Sequence, residues 1–231
     1  MSTRKGLEIG GVLAALVLIV FGTAAIVMGF QGRSTVSDNL RTQRIAGTPD
    51  MTPAGITAEA KKAGLNVSAI TIPTCSVANT PVTDGSSARC FAQYMTIHAL
   101  EATGGQYYSQ MPRYATADGK GTNVASQALQ VKGQPVDNPA RNVWIQETAL
   151  STALNTGYMA DQISLFGIVV GIAFLLAGIG FAVLSVAGAL RNPDSALSAL
   201  RSKQAESQTA QGQRVPDVAT TGDIAPAEAG A

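Results

Sequence analysis

The chain has 231 residues, of which 46% are hydrophobic and 13% charged, and its formal net charge is +1. A near-neutral charge without any cluster of Lys or Arg excludes an electrostatic surface for nucleic acid. Two cysteines and one histidine are the only strong metal-binding side chains, so the chain alone cannot supply a zinc site or a two-histidine iron site, and we expect no cofactor.

Residues 9–30 are the first of two long uncharged segments, here called the first apolar segment. As a helix its 22 residues rise about 1.5 Å each and cover a hydrocarbon core of roughly 30 Å. Arg4 and Lys5 precede it, as in a cleaved signal peptide, but the apolar part of such a peptide is only about 7–15 residues long. The sequence therefore predicts an uncleaved signal anchor that crosses the membrane.

The segment between the apolar segments, residues 31–162, is predicted to be a helical domain. Ser34 to Arg44 read as a polar continuation of the first apolar helix. Thr52-Pro53 is typical of a helix start and Gly64 of its end. Ser86 or Ser87 is expected to cap a central helix that carries Phe91, Tyr94, Met95, His98 and Ala102 at helical spacing and ends at Gly104-Gly105.

The rest of this segment is less regular. Val67 to Ile72 alternate weakly as a strand does, and residues 106–137 read as loops with a short helix near 124–129. Asn138-Pro139 is expected to begin a last helix that runs on into the second apolar segment, with a bend open at Gly157.

Cys75 and Cys90 both lie in residues 31–162, and no further cysteine exists. A cysteine pair outside the cytoplasm indicates a disulfide, whereas a metal site needs more ligands than this pair offers. We therefore predict a Cys75–Cys90 disulfide that staples the domain.

Residues 163–190, the second apolar segment, contain 28 residues without a charge, which is long enough to cross a membrane. After it, Asn192-Pro193 is expected to start a short amphipathic helix to about Lys203. The remaining tail is poor in large apolar residues and is predicted to be disordered.

Small residues recur at steps of three and four in both apolar segments. Because no hydrophobic force joins helices in lipid, close approach over small side chains supplies their packing. We expect an antiparallel hairpin, with pairing between molecules as the alternative. The helix-packing residues predicted from this spacing are Gly11, Ala15, Gly22, Gly29, Gly167, Gly171, Gly178 and Ser185.

The predicted fold class is mainly α: a transmembrane helical hairpin with a small, disulfide-linked extracytoplasmic domain and a disordered C-terminal tail. Positive residues precede the first apolar segment and follow the second, so both ends are expected in the cytoplasm of a two-pass plasma-membrane protein. The expected domains are cytoplasmic residues 1–8, membrane helix 9–30, extracytoplasmic residues 31–162, membrane helix 163–190 and cytoplasmic residues 191–231.

Residues that could carry chemistry are few. His98 and Glu101 lie three apart on one predicted helix, where a hydrogen-bonded structural histidine is the expected role. Asp118-Gly119-Lys120 departs from phosphate-loop and calcium-loop patterns and predicts a plain turn. Neither apolar segment holds an ionisable residue, which argues against a transporter or a proton relay. We therefore predict no catalytic, cofactor-binding or metal-binding residue.

Three stretches carry a family resemblance: residues 2–22, residues 89–105 (RCFAQYMTIHALEATGG) and residues 147–184. Together they resemble an actinobacterial family of small two-span membrane proteins, often labelled as the small subunit of an aromatic ring-opening dioxygenase. The resemblance implies the two-span fold and, through that label, a subunit whose iron ligands belong to a large subunit. It transfers no active-site residue to this chain.

Without visible catalytic machinery, the expected function is that of a cell-envelope protein whose extracytoplasmic domain interacts with a protein or a lipid. The alternatives are a dioxygenase subunit, as the resemblance implies, and an accessory subunit of a membrane transport complex. The expected partners are the lipid bilayer and another membrane or envelope protein, with a homo-oligomer open and nucleic acid excluded.

Overall fold

A computed structural model describes residues 3–187, 201, 202 and 204 of the chain. Its main elements are four helices: α1 (Thr3–Gln43), α2 (Pro53–Lys62), α3 (Gly85–Ala102) and α4 (Pro139–Val186). The predictions of a mainly helical protein with two long apolar helices and one disulfide are thus confirmed. The predicted end of the second apolar segment and most residues of the helix expected after Asn192 and of the predicted disordered tail lie outside the described residues.

The two apolar segments are parts of much longer helices. Helix α1 has 41 residues and α4 has 48, so each extends well past its uncharged stretch. As predicted, the polar residues from Ser34 onward continue the first helix, and α4 starts directly after Asn138. Gly157 lies inside α4 without interrupting it.

Helices α2 and α3 begin at side-chain caps. The Thr52 hydroxyl accepts a hydrogen bond from the Gly55 amide, with Pro53 at the first helical position, as predicted. For α3 the predicted cap was wrong: Asp84, rather than Ser86 or Ser87, accepts from the Ser87 amide. The Ser87 hydroxyl is the hydrogen-bond partner of the Asp84 backbone amide, which completes a capping box.

A further local prediction was wrong: Val67–Ala69 forms a single 3-10 turn instead of a strand. The short helix predicted near 124–129 is present as a second 3-10 turn, Ala125–Gln127. A third 3-10 turn lies at Tyr108–Gln110. A two-residue antiparallel hairpin, β1 (Gln130–Val131) with β2 (Gln134–Pro135), follows within the predicted loop region.

Helix α3 is the buried centre of the domain, as its apolar spacing predicted. Tyr94 is 0% exposed and Ile97 2%, and both belong to a core that also includes Ile56, Val82 and Leu154. Met95 and His98 are only half-buried, because the most deeply buried stripe runs through positions 94 and 97. A smaller cluster joins Ala99 and Leu100 of α3 to Met111 and Trp144.

The chain divides into two compact units. One comprises the described residues of Met1–Ile19 and Leu176–Ala231, and the other is Val20–Leu175. The second unit contains the cores described above, the disulfide and helices α2 and α3.

Candidate functional site

Within Val20–Leu175, α1 and α4 touch through glycine at backbone distance. A Cβ on Gly22 would lie 2.7 Å from the Gly171 carbonyl oxygen and 2.7 Å from the Leu175 nitrogen. A Cβ on Gly29 would lie 2.7 Å from the Ser164 carbonyl oxygen. The contact partners on α4 have lower numbers as the numbers on α1 rise, so the two helices run antiparallel here. Glycine is needed at these positions because the neighbouring atoms belong to the main chain.

The other predicted packing residues differ in their surroundings. In the first unit, a Cβ on Gly178 would meet the Ala15 carbonyl oxygen at 3.0 Å, and Ala15 itself is 4% exposed. Gly11 is buried. Ser185 is 3% exposed, and its hydroxyl donates to the Phe181 carbonyl of its own helix.

Gly167 has more room than Gly22, Gly29, Gly171 and Gly178. A Cβ there would come no closer than 3.8 Å to the Ala25 carbonyl oxygen, which is ordinary van der Waals contact. In the Gly167-xxx-Gly171 motif, the glycine at 171 therefore carries the close approach.

An ion pair joins the two long helices just beyond the uncharged stretches. Arg33 Nε donates to Asp161 Oδ1 at 3.0 Å, and the Asp161 side chain is 7% exposed. The N-terminus of α3 packs on the same place, since a Cβ on Gly85 would lie 2.7 Å from Asp161 Cβ. This buried carboxylate thus lies where α1, α3 and α4 meet.

Cys75 and Cys90 form the predicted disulfide. Beside it, the Tyr94 hydroxyl donates to the Cys75 carbonyl at 2.6 Å. Burial raises the pKa of Tyr94, which further favours the protonated hydroxyl that donates here. The disulfide and the hydrogen bond together fix the loop before α3 against that helix.

The single histidine has an acidic partner that the sequence did not indicate. His98 Nε2 lies 2.6 Å from Asp50 Oδ2, with both side chains about a quarter exposed (25% and 27%). Burial disfavours the Asp50 carboxylate, but hydrogen bonds from Thr48 and His98 outweigh that cost and hold the pKa of Asp50 below its ordinary value.

Glu101, one turn along α3 from His98, has the opposite shift. Burial raises the pKa of Glu101, partly opposed by nearby His98 and reinforced by the charges of Asp50 and Glu59. Its Oε1 atom is buried without a hydrogen-bond partner among the described residues. In the part of the chain that the structure describes, no group of three or more His, Cys, Asp or Glu side chains could hold a metal ion.

A largely apolar cavity lies between α1 and α4, directly beyond the uncharged stretches; we call it the α1–α4 cavity. Its volume is about 420 Å³, within the range of roughly 300–1,000 Å³ found for small-molecule sites. None of the described residues that line it is charged. The lining residues are Val36, Asn39, Leu40, Gln43, Ile45, Leu150, Ala153, Leu154, Thr156, Gly157 and Ala160.

The lining of this cavity combines buried apolar side chains with uncharged polar ones. Leu40 and Leu154 are 8% and 2% exposed, whereas Asn39, Gln43 and Thr156 provide the polar groups. A Cβ on Gly157 would meet nothing within 4 Å. An aliphatic chain fits such a lining, because it buries apolar surface and leaves no charge to be desolvated.

The sequence did not predict this cavity. Its lining comes from residues about 110 positions apart, so their proximity depends on how α1 and α4 pair. The available signal was indirect: apolar residues such as Val36 and Leu40 continue at helical spacing past the end of the first apolar segment.

No family model matches the sequence, and neither a curated protein nor a solved structure is significantly similar to it. The resemblance to dioxygenase-labelled two-span proteins therefore stays a prediction.

Proposed function

We propose that this protein is a two-pass cell-envelope protein that binds a lipid chain in the α1–α4 cavity. The two apolar segments cross the plasma membrane, the first as an uncleaved signal anchor, and both ends of the chain lie in the cytoplasm. Residues 31–162 form the extracytoplasmic domain. The observation that carries the lipid part of the proposal is the uncharged, largely apolar cavity at the membrane-side end of that domain.

The exposure of large side chains supports two membrane crossings. Phe21 is 64% exposed, Phe166 68% and Leu176 63%, and both helices are long and apolar enough to span a bilayer. Burying one such side chain is worth about 1.5–3 kcal/mol. Exposing these side chains to water is therefore unfavourable. In the hydrocarbon core of a membrane the same side chains are buried by lipid, and no partner protein is needed to cover them.

The disulfide supports the placement of the domain. Disulfides persist in oxidising compartments and are rare in the cytoplasm. Cys75 and Cys90 therefore favour an extracytoplasmic position for residues 31–162, and the positive residues before the first apolar segment favour a cytoplasmic N-terminus.

The position of the cavity favours a membrane lipid over a soluble ligand. Val36 lies six residues after Phe30, and Ala160 lies three residues before Ile163, so both are within about 10 Å of the uncharged stretches along their helices. A lipid tail that bends out of the outer leaflet therefore has only a short distance to cover.

The threading is tested on intact cells by brief reduction followed by a membrane-impermeant maleimide. We expect Cys75 to be labelled, because it is half-buried in the domain, and labelling to require the reducing agent. A double Cys75→Ala, Cys90→Ala variant controls for other labelled proteins. If the thiols react only after the cells are permeabilised, the domain lies in the cytoplasm and the threading is wrong.

The lipid site is tested in proteoliposomes that contain a phospholipid with a diazirine in its acyl chain. After photolysis we expect mass spectrometry to find adducts within residues 36–45 and 150–160. Gly157→Phe fills open space in the cavity and should reduce these adducts at least about five-fold. Gly180→Phe is the matched control, because Gly180 is also open, lies on the same helix and does not line the cavity.

Adducts confined to residues 9–30 and 163–187 in every variant would refute a lipid site in the domain. Equal adduct yields at residues 150–160 in Gly157→Phe and Gly180→Phe would refute the cavity as the place where the chain binds.

A further inference from the structure

A second cavity lies at the start of α4, in the part of the domain farthest along α4 from the second apolar segment; we call it the arginine cleft. Its volume is about 360 Å³, and its lining is mainly polar. It is lined by Tyr108, Arg113, Asp137, Asn138, Arg141, Asn142 and Ile145.

Two arginines face this cleft with their charges unpaired. Among the described residues, neither Arg113 nor Arg141 has a carboxylate within ion-pair distance, and neither guanidinium donates a hydrogen bond. The Nε atom of Arg141 is buried and has no hydrogen-bond partner among the described residues.

Aromatic rings hold both guanidinium groups in place. Arg141 Cζ lies 4.1 Å from the ring centre of Tyr108, and Arg113 Cζ lies 5.1 Å from that of Tyr114. Cation–π stacking restricts a side chain that otherwise samples many rotamers, while the planar N–H edges remain free to donate. The pair is thus pre-organised for an acceptor.

The other polar groups of the cleft leave the arginines as its main donors. The Asn138 side chain is already used, since its oxygen accepts from the Ala140 amide and its nitrogen donates to the Pro112 carbonyl. Asp137 is exposed and is the one carboxylate in the lining, so it opposes an anion and lowers the net charge of the cleft to +1. Asn142 is exposed, and among the described residues no hydrogen bond engages its side-chain amide.

We propose that the arginine cleft binds the phosphate group of a small phosphate monoester, with the organic part of the ligand against Tyr108 and Ile145. A phosphate has three free oxygens and nearly two negative charges, so it can accept from both guanidinium groups, whereas a carboxylate satisfies a single fork. Tyr108 and Ile145 are 42% and 54% exposed and offer apolar surface beside the charge. This site is separate from the α1–α4 cavity and does not depend on the lipid proposal.

The test is isothermal titration of the full-length protein in detergent with phenyl phosphate, glucose 6-phosphate and inorganic phosphate. We expect phenyl phosphate to bind more tightly than inorganic phosphate and the affinity to fall as sodium chloride is raised. Arg113→Gln and Arg141→Gln should each weaken phenyl phosphate at least about 10-fold, the loss expected for one charge-assisted contact. Asp137→Asn should tighten it.

Arg89→Gln is the matched control, because Arg89 also stacks on a tyrosine, Tyr158, at 4.7 Å but does not line the cleft. Its affinity for phenyl phosphate should equal that of the wild type. Arg113 is exposed, so Arg113→Gln keeps the test decisive even if Arg141→Gln fails to fold.

The proposal is overturned if none of the three probes binds at a ligand concentration of about 20 mM, on the order of the weakest affinity that would count as a site. It is also overturned if Arg113→Gln and Arg89→Gln bind phenyl phosphate with the same affinity. Equal affinity for phenyl phosphate and inorganic phosphate would overturn the proposal that the ligand is a phosphate ester and would identify free phosphate as the ligand.

Discussion

Two glycines one turn apart on α4 should respond differently to the same added methyl group. A Cβ at Gly171 would lie 2.7 Å from the Gly22 carbonyl oxygen and 2.9 Å from the Ile26 nitrogen, whereas at Gly167 its nearest neighbour would be 3.8 Å away. Both changes gain the helix preference of alanine over glycine, about 1 kcal/mol in a helix interior. The difference between them therefore reports helix packing alone.

The structure sets the expected size of this difference. Ordinary van der Waals contact begins near 3.4 Å, whereas a Cβ at Gly171 would lie 2.7 Å from the Gly22 carbonyl oxygen. Because that oxygen belongs to the main chain and cannot rotate away, we expect Gly171→Ala to push α1 and α4 apart by about 0.7 Å, the difference between the two distances. Overpacking of this kind costs about 1–3 kcal/mol. We expect Gly167→Ala to be neutral or stabilising by up to about 1 kcal/mol, and Gly171→Ala to be less stable than Gly167→Ala by about 1–3 kcal/mol.

The assay is unfolding by sodium dodecyl sulfate in mixed micelles, followed by the fluorescence of the single tryptophan. Trp144 is 6% exposed and packs on Tyr107 at 5.3 Å within the same unit as both glycines. If the two alanine variants unfold at the same detergent fraction, or if Gly171→Ala is the more stable, the close approach at Gly171 does not hold these helices together.

Three further predictions concern the domain. Tyr94→Phe leaves the Cys75 carbonyl without its donor and should lower the free energy of unfolding by about 1 kcal/mol, measured by chemical denaturation; an unchanged midpoint would show that water replaces the hydroxyl. Removing the disulfide with Cys75→Ala and Cys90→Ala together should cost about 3 kcal/mol for a loop of this length, measured by thermal melting; a melting temperature equal to that of the wild type would contradict this. Because the pKa of Glu101 is raised in the folded state, this residue favours folding fully only below its ordinary pKa of 4.5 and loses that contribution as the pH rises through the folded pKa. Glu101→Gln should therefore melt higher than the wild type at pH 7.5, with the gain disappearing by about pH 3.5; a gain that does not change with pH would refute the burial of a charge as its cause.

The helices were predictable because their signals are local. Uncharged runs, Thr52-Pro53 and Asn138-Pro139 each act through neighbours on the same helix, and the central helix follows from apolar spacing. The cap of α3 was mispredicted because Asp84 and two serines all accept hydrogen bonds well, and only the backbone path into the helix decides among them.

The cavities and polar partners were not predictable for the opposite reason. His98 meets Asp50 across 48 residues, and Arg33 meets Asp161 across 128, so tertiary packing brings each pair together. Val67 to Ile72 has β-branched residues that favour a strand, but the structure gives that segment no neighbouring strand with which to pair. Local preference then yields to the turn that leads into the disulfide loop.

The Arg33–Asp161 pair favours one register of α1 against α4 within Val20–Leu175. Sliding α1 past α4 by one helical turn, about 5.4 Å, would separate the guanidinium from a carboxylate that is only 7% exposed, and it would also place larger side chains where Gly22 and Gly171 now touch. The ion pair and the glycine contact thus oppose the same sliding movement at two different positions along the helices. The Val20–Leu175 unit is therefore built to resist axial sliding of its two long helices, and a signal that depended on such a piston motion would first have to break this pair.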